Sequence, residues 1–343
     1  MLTCTWAPTT FQGTRVVAGA RSGGPIPSGE DLEAVTTGYV AGVEDLGLSH
    51  LLIAQRWWGT GAEIEASSLD CLAMTAYFAA RTERINLITA IHPGFFQPAA
   101  IAKWGATLDR LTRGRWAINL TSGWNLQEFS MYGVDPLDHD ARYARTAEFA
   151  TILRAAWDNE ECSFAGRHYR VDGLRLEPRP EHPLTVYQGG QSEAAIALAA
   201  AHSDWMFLNG GPPEKIGGII DRARAAFAAR GRRGRFAVYA APLCRATDAE
   251  AWDEVEAMVA RVDANLVARR RARVGGAQGM WENDDDALSC LDTNEGYASR
   301  LIGSPGTIVD RVRGLKALGV DMLHLDLRDR PFVEQVLPEL DAI

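Results

Sequence analysis

The segment Trp116–Thr121, WAINLT, is a short apolar run that stops at the turn residues Ser122 and Gly123. An apolar run of this length without polar alternation is typical of a parallel strand that helices cover on both faces. Segments of helical periodicity lie on either side of it, at Ala99–Leu111 and Arg142–Trp157. The pattern therefore predicts a helix–strand–helix unit of an α/β fold.

The same alternation extends along the whole chain of 343 residues. The predicted strands are Leu2–Ala7, His50–Gln55, Arg84–Ala90, Trp116–Thr121, Leu184–Gln188, Trp205–Asn209, Arg235–Leu243 and Asp321–Leu327. The predicted helices are Gly29–Leu46, Ser67–Ala80, Ala99–Leu111, Arg142–Trp157, Glu193–His202, Pro213–Arg230, Asp248–Arg271 and Pro305–Leu318, with a last one at Pro331–Leu340. Eight such units favour closure into a (β/α)₈ TIM barrel, and we expect residues 1–343 to form a single domain. An open doubly wound sheet is disfavoured because no GxGxxG follows the first strand.

Two stretches interrupt the alternation. Ser163–Val171, followed by Leu174–Leu176, predicts a β-excursion between the fourth helix and the fifth strand. Val274–Asp292 is rich in Gly, Asn and Asp and has no apolar period. A long irregular stretch inside a compact domain is usually functional or disordered, and we interpret this one as a mobile lid before the last strand.

The composition excludes several classes of function. Asp and Glu number 44 against 35 Lys and Arg, which leaves a net charge of −9 and no concentrated basic face for nucleic acid. The five cysteines are scattered, so they indicate neither a disulfide framework nor a zinc site. No apolar run is long enough to cross a bilayer. We therefore expect a cytoplasmic protein without nucleic-acid, membrane or metal partners.

In a barrel, polar residues at the carboxyl ends of strands are candidates for the active site. Asn119 lies within the apolar fourth strand, and Trp124 follows that strand. The buried amide of Asn119 needs hydrogen-bond partners, which are either the neighbouring backbone or the edge of a ring ligand such as a flavin. Gly189-Gly190-Gln191-Ser192 opens directly into a helix. This pattern predicts either a phosphate cradle or a helix whose N-cap is Ser192.

Further candidates lie in the neighbouring loops. Arg142 and Tyr143 begin a helix and either reach the same phosphate or form part of a capping cluster. His92 follows the third strand, and its two alternative roles are a general acid or base and a packed core residue. Trp57 and Trp58 follow the second strand. Their rings either line the site of a planar ligand or pack against the rest of the barrel.

Several of these motifs together resemble one family. They are Ala106–Arg115, Asn119–Trp124, Asp138–Tyr143, Gly189–Ser192, Asp204-Trp205 and Leu301–Pro305. In order and spacing they are similar to the bacterial luciferase-like flavin monooxygenases, within these most of all to the dimethyl sulfone monooxygenases, then to the alkanesulfonate monooxygenases and pyrimidine oxygenases. The resemblance extends from about the second strand to the final helix.

The resemblance implies a two-component system. A separate NAD(P)H-dependent flavin reductase would supply FMNH₂, and O₂ would react with the bound flavin to oxidise a small molecule. The positions that match the family's flavin contacts are Gln55, Arg56, Asn119, Glu128, Arg142, Tyr143 and Ser192, and Gly190 and Gln191 belong to the same cradle. By the same match, Asn119 and Trp124 would lie where O₂ reacts. We also expect a homodimer or homotetramer.

The substrate is indicated by what the sequence lacks. The alkanesulfonate enzymes carry a His and an Arg on strand seven, where this chain has Ala237–Ala241, and an Arg near the lid, where it has Asn294. A sulfonate needs such cations. Tyr239, Trp57, Trp58 and Phe95 would instead line a pocket for a neutral, partly apolar molecule, such as a sulfone.

Three alternatives stay open at this point. One is the same flavin chemistry on a nitrogen heterocycle or a biosynthetic intermediate. Another is a deazaflavin-dependent reductase of the same fold, although the motifs match the FMN branch better. A third is a flavin-binding barrel without activity, which would have no need to keep Asn119, Arg142, Tyr143 and Ser192 together.

Overall fold

A computed structural model describes residues 1–11, 13–22, 24–57, 67–274, 278 and 286–343. Within these residues, parallel strands close into a barrel in the order β1-β8-β7-β6-β5-β4-β3-β2. The strands are β1 (Leu2–Trp6), β2 (His50–Ile53), β3 (Asn86–Ile91), β4 (Trp116–Thr121), β5 (Thr185–Gly189), β6 (Trp205–Leu208), β7 (Arg235–Ala240) and β8 (Met322–Leu325). The predicted (β/α)₈ barrel is therefore confirmed, and each predicted strand overlaps one strand of the barrel.

Helices surround the barrel. They are α1 (Gly29–Asp45), α2 (Cys71–Ala79), α3 (Pro98–Thr112), α4 (Leu126–Met131), α5 (His139–Asp158), α6 (Glu193–His202), α7 (Pro213–Ala228), α8 (Asp248–Val259), α9 (Ala264–Val274), α10 (Pro305–Leu318) and α11 (Arg330–Gln335). Asp70, Asp138 and Ser192 cap α2, α5 and α6, and each accepts a hydrogen bond from a backbone N–H in the first turn. Such caps fix where a helix starts and therefore where the preceding loop ends.

Alternation along the strands divides the core into two layers. One set of side chains faces the helices, and the opposite set fills the interior of the barrel. The interior residues are Cys4, Leu52, Ile88, Ala117, Tyr187, Trp205, Phe207, Ala237 and Met322. Two residues further along each strand, the next side chain that points into the barrel lies at its carboxyl end. A site can form there.

The predicted β-excursion is present. Cys162–Ala165 pairs antiparallel with Arg170–Leu174. The Glu148 carboxylate of α5 accepts hydrogen bonds from the backbone N–H groups of Arg167, His168 and Tyr169 in the connecting turn. This hairpin is therefore tied to the barrel through α5.

The single helix predicted over Asp248–Arg271 is wrong, because the structure divides it into α8 and α9. Between them, Val262 forms a bridge with Val17, and the backbone N–H of Asp263 donates to Val16. The Asp263 carboxylate then accepts from the N–H groups of Asn265 and Leu266 and starts the second helix. A contact from far along the chain thus interrupts the helix.

Other differences lie at the ends of elements and in loops. The predicted helix from Ser67 begins only at Cys71, because Ser67–Ser68 pairs with Thr10–Phe11 as a short antiparallel ribbon. Helix α4 was not predicted, and α5 begins at His139 rather than Arg142. Most of the proposed lid, residues 275–277 and 279–285, lies outside the described residues, as does Trp58.

Candidate active site

Two adjoining cavities open at the carboxyl end of the barrel strands. The mouth cavity, of about 160 Å³, lies over the ends of β2–β6, and its polar lining includes Gln55, His92, Asn119, Thr121, Ser122, His139, Arg142, Tyr143 and Gln191. The side cavity, of about 300 Å³, lies between β1, β7, β8 and the N-terminal segment, and its polar lining includes Thr5, Thr9, Arg15, Asp292, Asp326 and Arg328. Trp6, Ala54, Arg56 and Tyr239 line both cavities.

Gln55 ties β2 to the loop that follows β3. Its Oε1 accepts a hydrogen bond from the backbone N–H of His92 at 2.8 Å. The same side chain is 4% exposed, and its Nε2 has no partner among the described residues. Because a buried amide normally uses both of its ends, the free end is a donor prepared for a ligand in the mouth cavity.

Asn119 provides the complementary group. It lies on β4, two residues beyond the interior residue Ala117, and therefore points into the barrel. The side chain is 5% exposed, and its Oδ1 has no hydrogen-bond partner in the described part of the chain. The mouth cavity thus presents an unpaired donor and an unpaired acceptor, which a heterocycle carrying both carbonyl and N–H groups would satisfy.

Gly190 forms a close passage between β5 and α6. Its φ is +131°, and a Cβ there would lie 2.9 Å from the Tyr143 hydroxyl oxygen and 3.1 Å from the Ala195 Cβ. Only glycine fits such a position without strain. The Ser192 hydroxyl accepts from the N–H of Ala195 and also bonds the Tyr143 hydroxyl. The first turn of α6 and its dipole therefore face the mouth cavity beside Tyr143, which favours an anion.

Arg142 holds the loops around this cradle. Its Nε donates to the carbonyl of Gly123 at 3.0 Å, and its Nη1 donates to the carbonyl of Leu137 at 2.7 Å. The residue is 2% exposed but lines the mouth cavity, so it joins the loop after β4 to the start of α5. Burial lowers the pKa of its guanidinium.

His92 lines the mouth cavity as a neutral imidazole. Burial, with smaller contributions from the positive charges of Arg56, Arg145 and Arg142, lowers its pKa to about 3. Its Nδ1 lies 3.6 Å from the Glu128 Oε2, which is longer than a hydrogen bond. A group with this pKa is a poor proton donor at neutral pH, so the geometry favours a neutral hydrogen-bonding role.

Trp124 lies at the rim of the mouth cavity. The guanidinium carbon of Arg270, from α9, lies 4.5 Å from the centre of its ring. This cation–π contact connects the loop after β4 to the segment before the undescribed residues 275–277.

The structure places some predicted site residues elsewhere. Glu128 and Ser192 do not line the mouth cavity: Glu128 accepts from the backbone N–H of Trp57 at 2.9 Å, and Ser192 caps α6. Trp57 and Phe95 line neither cavity, because their rings pack together at 5.3 Å in an aromatic cluster with Phe96 and Tyr132. Among the described residues these two rings therefore lie outside both cavities, and their assignment to the substrate pocket stays a prediction.

Tyr239 is the predicted pocket residue that the structure does place in the site. It lies on β7, is 5% exposed and lines both cavities. Burial raises the pKa of its hydroxyl, and the carboxylates of Asp292 and Asp326 raise it further. Asp326 in turn accepts hydrogen bonds from the Arg328 guanidinium and lies 3.6 Å from the Arg15 Nη2.

Sequence reasoning missed three inward-pointing residues. Trp6 and His324 follow the interior residues Cys4 and Met322 by two positions, and their rings lie 4.3 Å apart. Burial lowers the pKa of His324 to about 3. Counting alternate positions from each apolar strand would have found both residues. His139, at the start of α5, also lines the mouth cavity beside Tyr143.

Among the described residues, no group of three or more His, Cys, Asp or Glu side chains is arranged to hold a metal ion. A search of the same residues finds no helix that is both long and apolar enough to cross a membrane.

Fold and site together define a (β/α)₈ barrel whose mouth cavity has the polar lining and the helix N-terminus that suit a polar heterocycle with an anionic end. The family model of luciferase-like monooxygenases matches residues 14–322. This chain therefore belongs to the luciferase-like monooxygenase family.

Its relatives are consistent with that membership. An FMNH₂-dependent dimethylsulfone monooxygenase from Pseudomonas fluorescens (strain Pf0-1) is 36% identical over 299 residues, which cover 83% of this chain and 81% of that protein. The protein of the same name from Pseudomonas putida is 36% identical over 274 residues, covering 76% and 75%. The crystal structure of DmoA from Hyphomicrobium sulfonivorans has the same fold, with a TM-score of 0.74 and 19% identity over 100% of this chain and 88% of that one.

Proposed function

We propose that this protein is an FMNH₂-dependent monooxygenase that oxidises a small, neutral organosulfur compound. The observation that carries the proposal is a pair of buried groups in the mouth cavity, Gln55 Nε2 and Asn119 Oδ1, which have no hydrogen-bond partner among the described residues. A flavin ring has carbonyl acceptors and an N–H donor along one edge, which are the partners that these two side chains lack. The dimethylsulfone monooxygenases, at 36% identity, support the same cofactor.

The phosphate of FMN would lie in the mouth cavity at the N-terminus of α6, on the wall that Gly190, Gln191 and Tyr143 form. The close approach of Gly190 to the Tyr143 hydroxyl leaves no space for a side chain, and α6 directs the N–H groups of its first turn toward this place. Gln191 and Arg142 line the same cavity. Ser192 would act through its cap of α6 and its bond to Tyr143, and Glu128 would act by holding the loop at Trp57.

When bound, FMNH₂ supplies two electrons, while O₂ supplies one oxygen atom to the substrate and the other to water. The protein's own residues position the reactants and exclude water. Asn119 and Trp124 would line the place where O₂ reacts, and His92 would offer a neutral hydrogen bond there. A neutral imidazole beside the flavin holds its proton at neutral pH and does not add a charge to the cavity.

The side cavity would hold the substrate, since it adjoins the mouth cavity through Trp6, Arg56 and Tyr239. An anionic headgroup would need unengaged cations there. The Arg328 guanidinium instead donates to Asp326, Arg15 lies 3.6 Å from the same carboxylate, and the Arg56 guanidinium lies over the Trp6 ring. Strand β7 provides Tyr239 and Ala240 at its end. These features support a neutral substrate over a short alkanesulfonate.

A separate NAD(P)H-dependent flavin reductase would supply FMNH₂ as a diffusible reactant. We further propose a homodimer or homotetramer in the cytoplasm, as the family resemblance implies. The five cysteines are free thiols, which is compatible with a reducing compartment.

The test combines binding and turnover. Anaerobic titration should give a lower Kd for FMNH₂ than for oxidised FMN. Incubation with a flavin reductase, NADH, FMN and ¹⁸O₂ should place one labelled oxygen in the product of a sulfone. The Asn119→Leu variant should fold normally and lose at least about tenfold in flavin affinity. Equal or absent binding of both redox states, or an unlabelled product, would exclude the proposed function.

A further inference from the structure

One carboxyl group in the side cavity, that of Asp292, has neither a cation nor a full set of hydrogen-bond donors among the described residues. Asp292 is 8% exposed, and its Oδ1 accepts from the backbone N–H groups of Asn294 at 3.2 Å and Gly296 at 2.8 Å. Its Oδ2 is buried and has no hydrogen-bond partner within the described residues. A buried carboxyl oxygen without a partner is costly, so its position on the wall of a cavity points to a ligand.

The location of Oδ2 is defined by its neighbours. A Cβ on Gly296 would lie 2.6 Å from Asp292 Oδ2 and 2.5 Å from Cε1 of the Tyr239 ring. The carboxyl group therefore lies beside Tyr239, the residue that lines both cavities. A molecule that bonds Oδ2 would consequently lie next to the mouth cavity, where the flavin is proposed to bind.

Other charged and titratable groups face this carboxyl group from each side. Asp326 follows β8, Arg15 lies in the N-terminal segment, Tyr239 is the last but one residue of β7, and Tyr297 lies in the turn at Gly296–Ser299. Arg15 forms its ion pair with Asp326, at 3.6 Å, and no ion pair joins Asp292 to a cation in the described part of the chain. Asp326 is thus paired, whereas Asp292 is held only by backbone N–H groups on one oxygen.

We propose that Asp292 selects the substrate by accepting a hydrogen bond from an N–H or O–H group. The preferred substrate class, which rests on the proposed function, is a small neutral sulfur compound that carries such a donor, for example a primary sulfonamide. A dialkyl sulfone has only acceptors and would leave Oδ2 unpaired.

Charge in the cavity decides between a neutral donor and a cation. Arg15, Arg56 and Arg328 line the same cavity, so an ammonium group would meet three guanidinium groups against two carboxylates. A neutral donor gains the hydrogen bond without that repulsion. The cavity volume of about 300 Å³ equals the share of roughly ten water molecules at ~30 Å³ each, which leaves space for more than a dimethyl compound.

The protonation state of Asp292 gives the proposal a pH signature. Burial raises its pKa to about 7, with Asp326 adding to the rise, while the N–H of Gly296 and the charge of Arg15 oppose it. Above that pH the carboxylate is only an acceptor, and below it the protonated acid can donate instead. Affinity for a donor-bearing ligand should therefore increase as the pH rises from 6 to 8.

The test uses two molecules of the same shape, dimethyl sulfone and methanesulfonamide, which differ in one CH₃ or NH₂ group. Calorimetric titration of the intact protein without flavin at pH 8 should show at least about tenfold tighter binding of methanesulfonamide. The preference should shrink at pH 6. The Asp292→Asn variant keeps an oxygen for the N–H of Gly296 and presents an NH₂ to the cavity, so it should lose or reverse the preference. Asp253→Asn, at an exposed position on α8, is the matched control.

Each outcome decides the inference. Failure of methanesulfonamide to bind, equal affinity for the two compounds, or a preference that Asp292→Asn leaves unchanged would overturn the role of Asp292. These binding measurements do not require turnover. If the preference appears but neither compound is oxidised with FMNH₂ and O₂, the proposed function fails while the selection by Asp292 stands.

Discussion

The Gln55 Oε1 accepts the backbone N–H of His92 at 2.8 Å, and this contact orients the amide so that its Nε2 is left for the mouth cavity. The hydrogen bond joins β2 to the loop after β3 and determines which end of the amide a ligand meets. An observation on the backbone thus assigns the donor end of a side chain that could otherwise be oriented either way.

Replacing this donor should weaken flavin binding while the fold is retained. Gln55→Glu keeps an acceptor for the N–H of His92 but presents a second carboxylate oxygen to the ligand. We expect flavin affinity to fall at least about tenfold, because a donor is replaced by an acceptor in a buried place. Fluorescence titration with FMNH₂ measures this, and Gln335→Glu, at an exposed position of α11, serves as control. Unchanged affinity would show that Gln55 faces no flavin carbonyl.

Arg142 and Tyr143 should behave differently when they are replaced. Arg142→Ala removes two bonds to the carbonyls of Gly123 and Leu137, so we expect a loss of about 2–5 kcal/mol in the free energy of unfolding. Tyr143→Phe removes a single hydroxyl at the cradle of Gly190 and should mainly reduce flavin affinity, by roughly tenfold. Urea unfolding and flavin titration separate the two effects.

Tyr77→Phe is the control for that pair, because the Tyr77 hydroxyl contacts Thr37 on the outside of the barrel. If Arg142→Ala unfolds at the same urea concentration as the parent, the guanidinium is not the structural tie that its contacts indicate.

The aromatic cluster should affect stability rather than substrate binding. Phe95→Leu removes ring contacts with Trp57 and Phe129, at 5.3 and 4.7 Å, and should lower the free energy of unfolding by about 1–2 kcal/mol. KM for the substrate should stay within about twofold. Tyr239→Phe, on the wall shared by the two cavities, should instead change KM. A large KM effect of Phe95→Leu would place that residue in the substrate pocket after all.

His324 should make the protein sensitive to acid. Burial lowers its folded-state pKa to about 3, below the ordinary value of 6.5, so the unfolded chain binds more protons between these values. Its contribution to stability is therefore complete above about pH 6.5 and is lost as the pH falls. His324 lies in a ring cluster with Trp6 and Phe207. When the pH falls from 6.5 to 5, the free energy of unfolding should decrease by about 2 kcal/mol less in the His324→Phe variant than in the parent protein. Parallel pH profiles would contradict this assignment.

The sequence was sufficient for the barrel because each buried strand carries its own apolar run. Trp116–Thr121 needs no distant information to be recognised as a strand, since it is apolar on both faces. The break between α8 and α9 could not be found in this way, because it depends on Val17 pairing with Val262 across the fold. Local pattern therefore predicted the elements and missed the non-local contacts between them.

The site was predictable to a similar extent. Gln55 and Asn119 stand at strand ends, where topology alone brings side chains to one face of a barrel. Trp57 and Phe95 also follow strands, but the loop backbone turns their rings into each other, and no periodicity encodes that turn. Asp292 is the last residue of Val274–Asp292, a segment whose sequence has no apolar period, so its place beside Tyr239 required coordinates.

The pairing of Val17 with Val262 has a consequence for how the sequence of this chain can evolve. It anchors the N-terminal segment outside the barrel, yet that segment provides Thr9, Arg15 and Val16 to the side cavity. One wall of the side cavity, where the substrate is proposed to bind, is thus built from a piece of chain that contributes no strand to the barrel. A mutant library confined to residues 9–16 and 291–297 should therefore explore new substrates in evolution experiments while the barrel strands and the proposed flavin cradle are inherited unchanged.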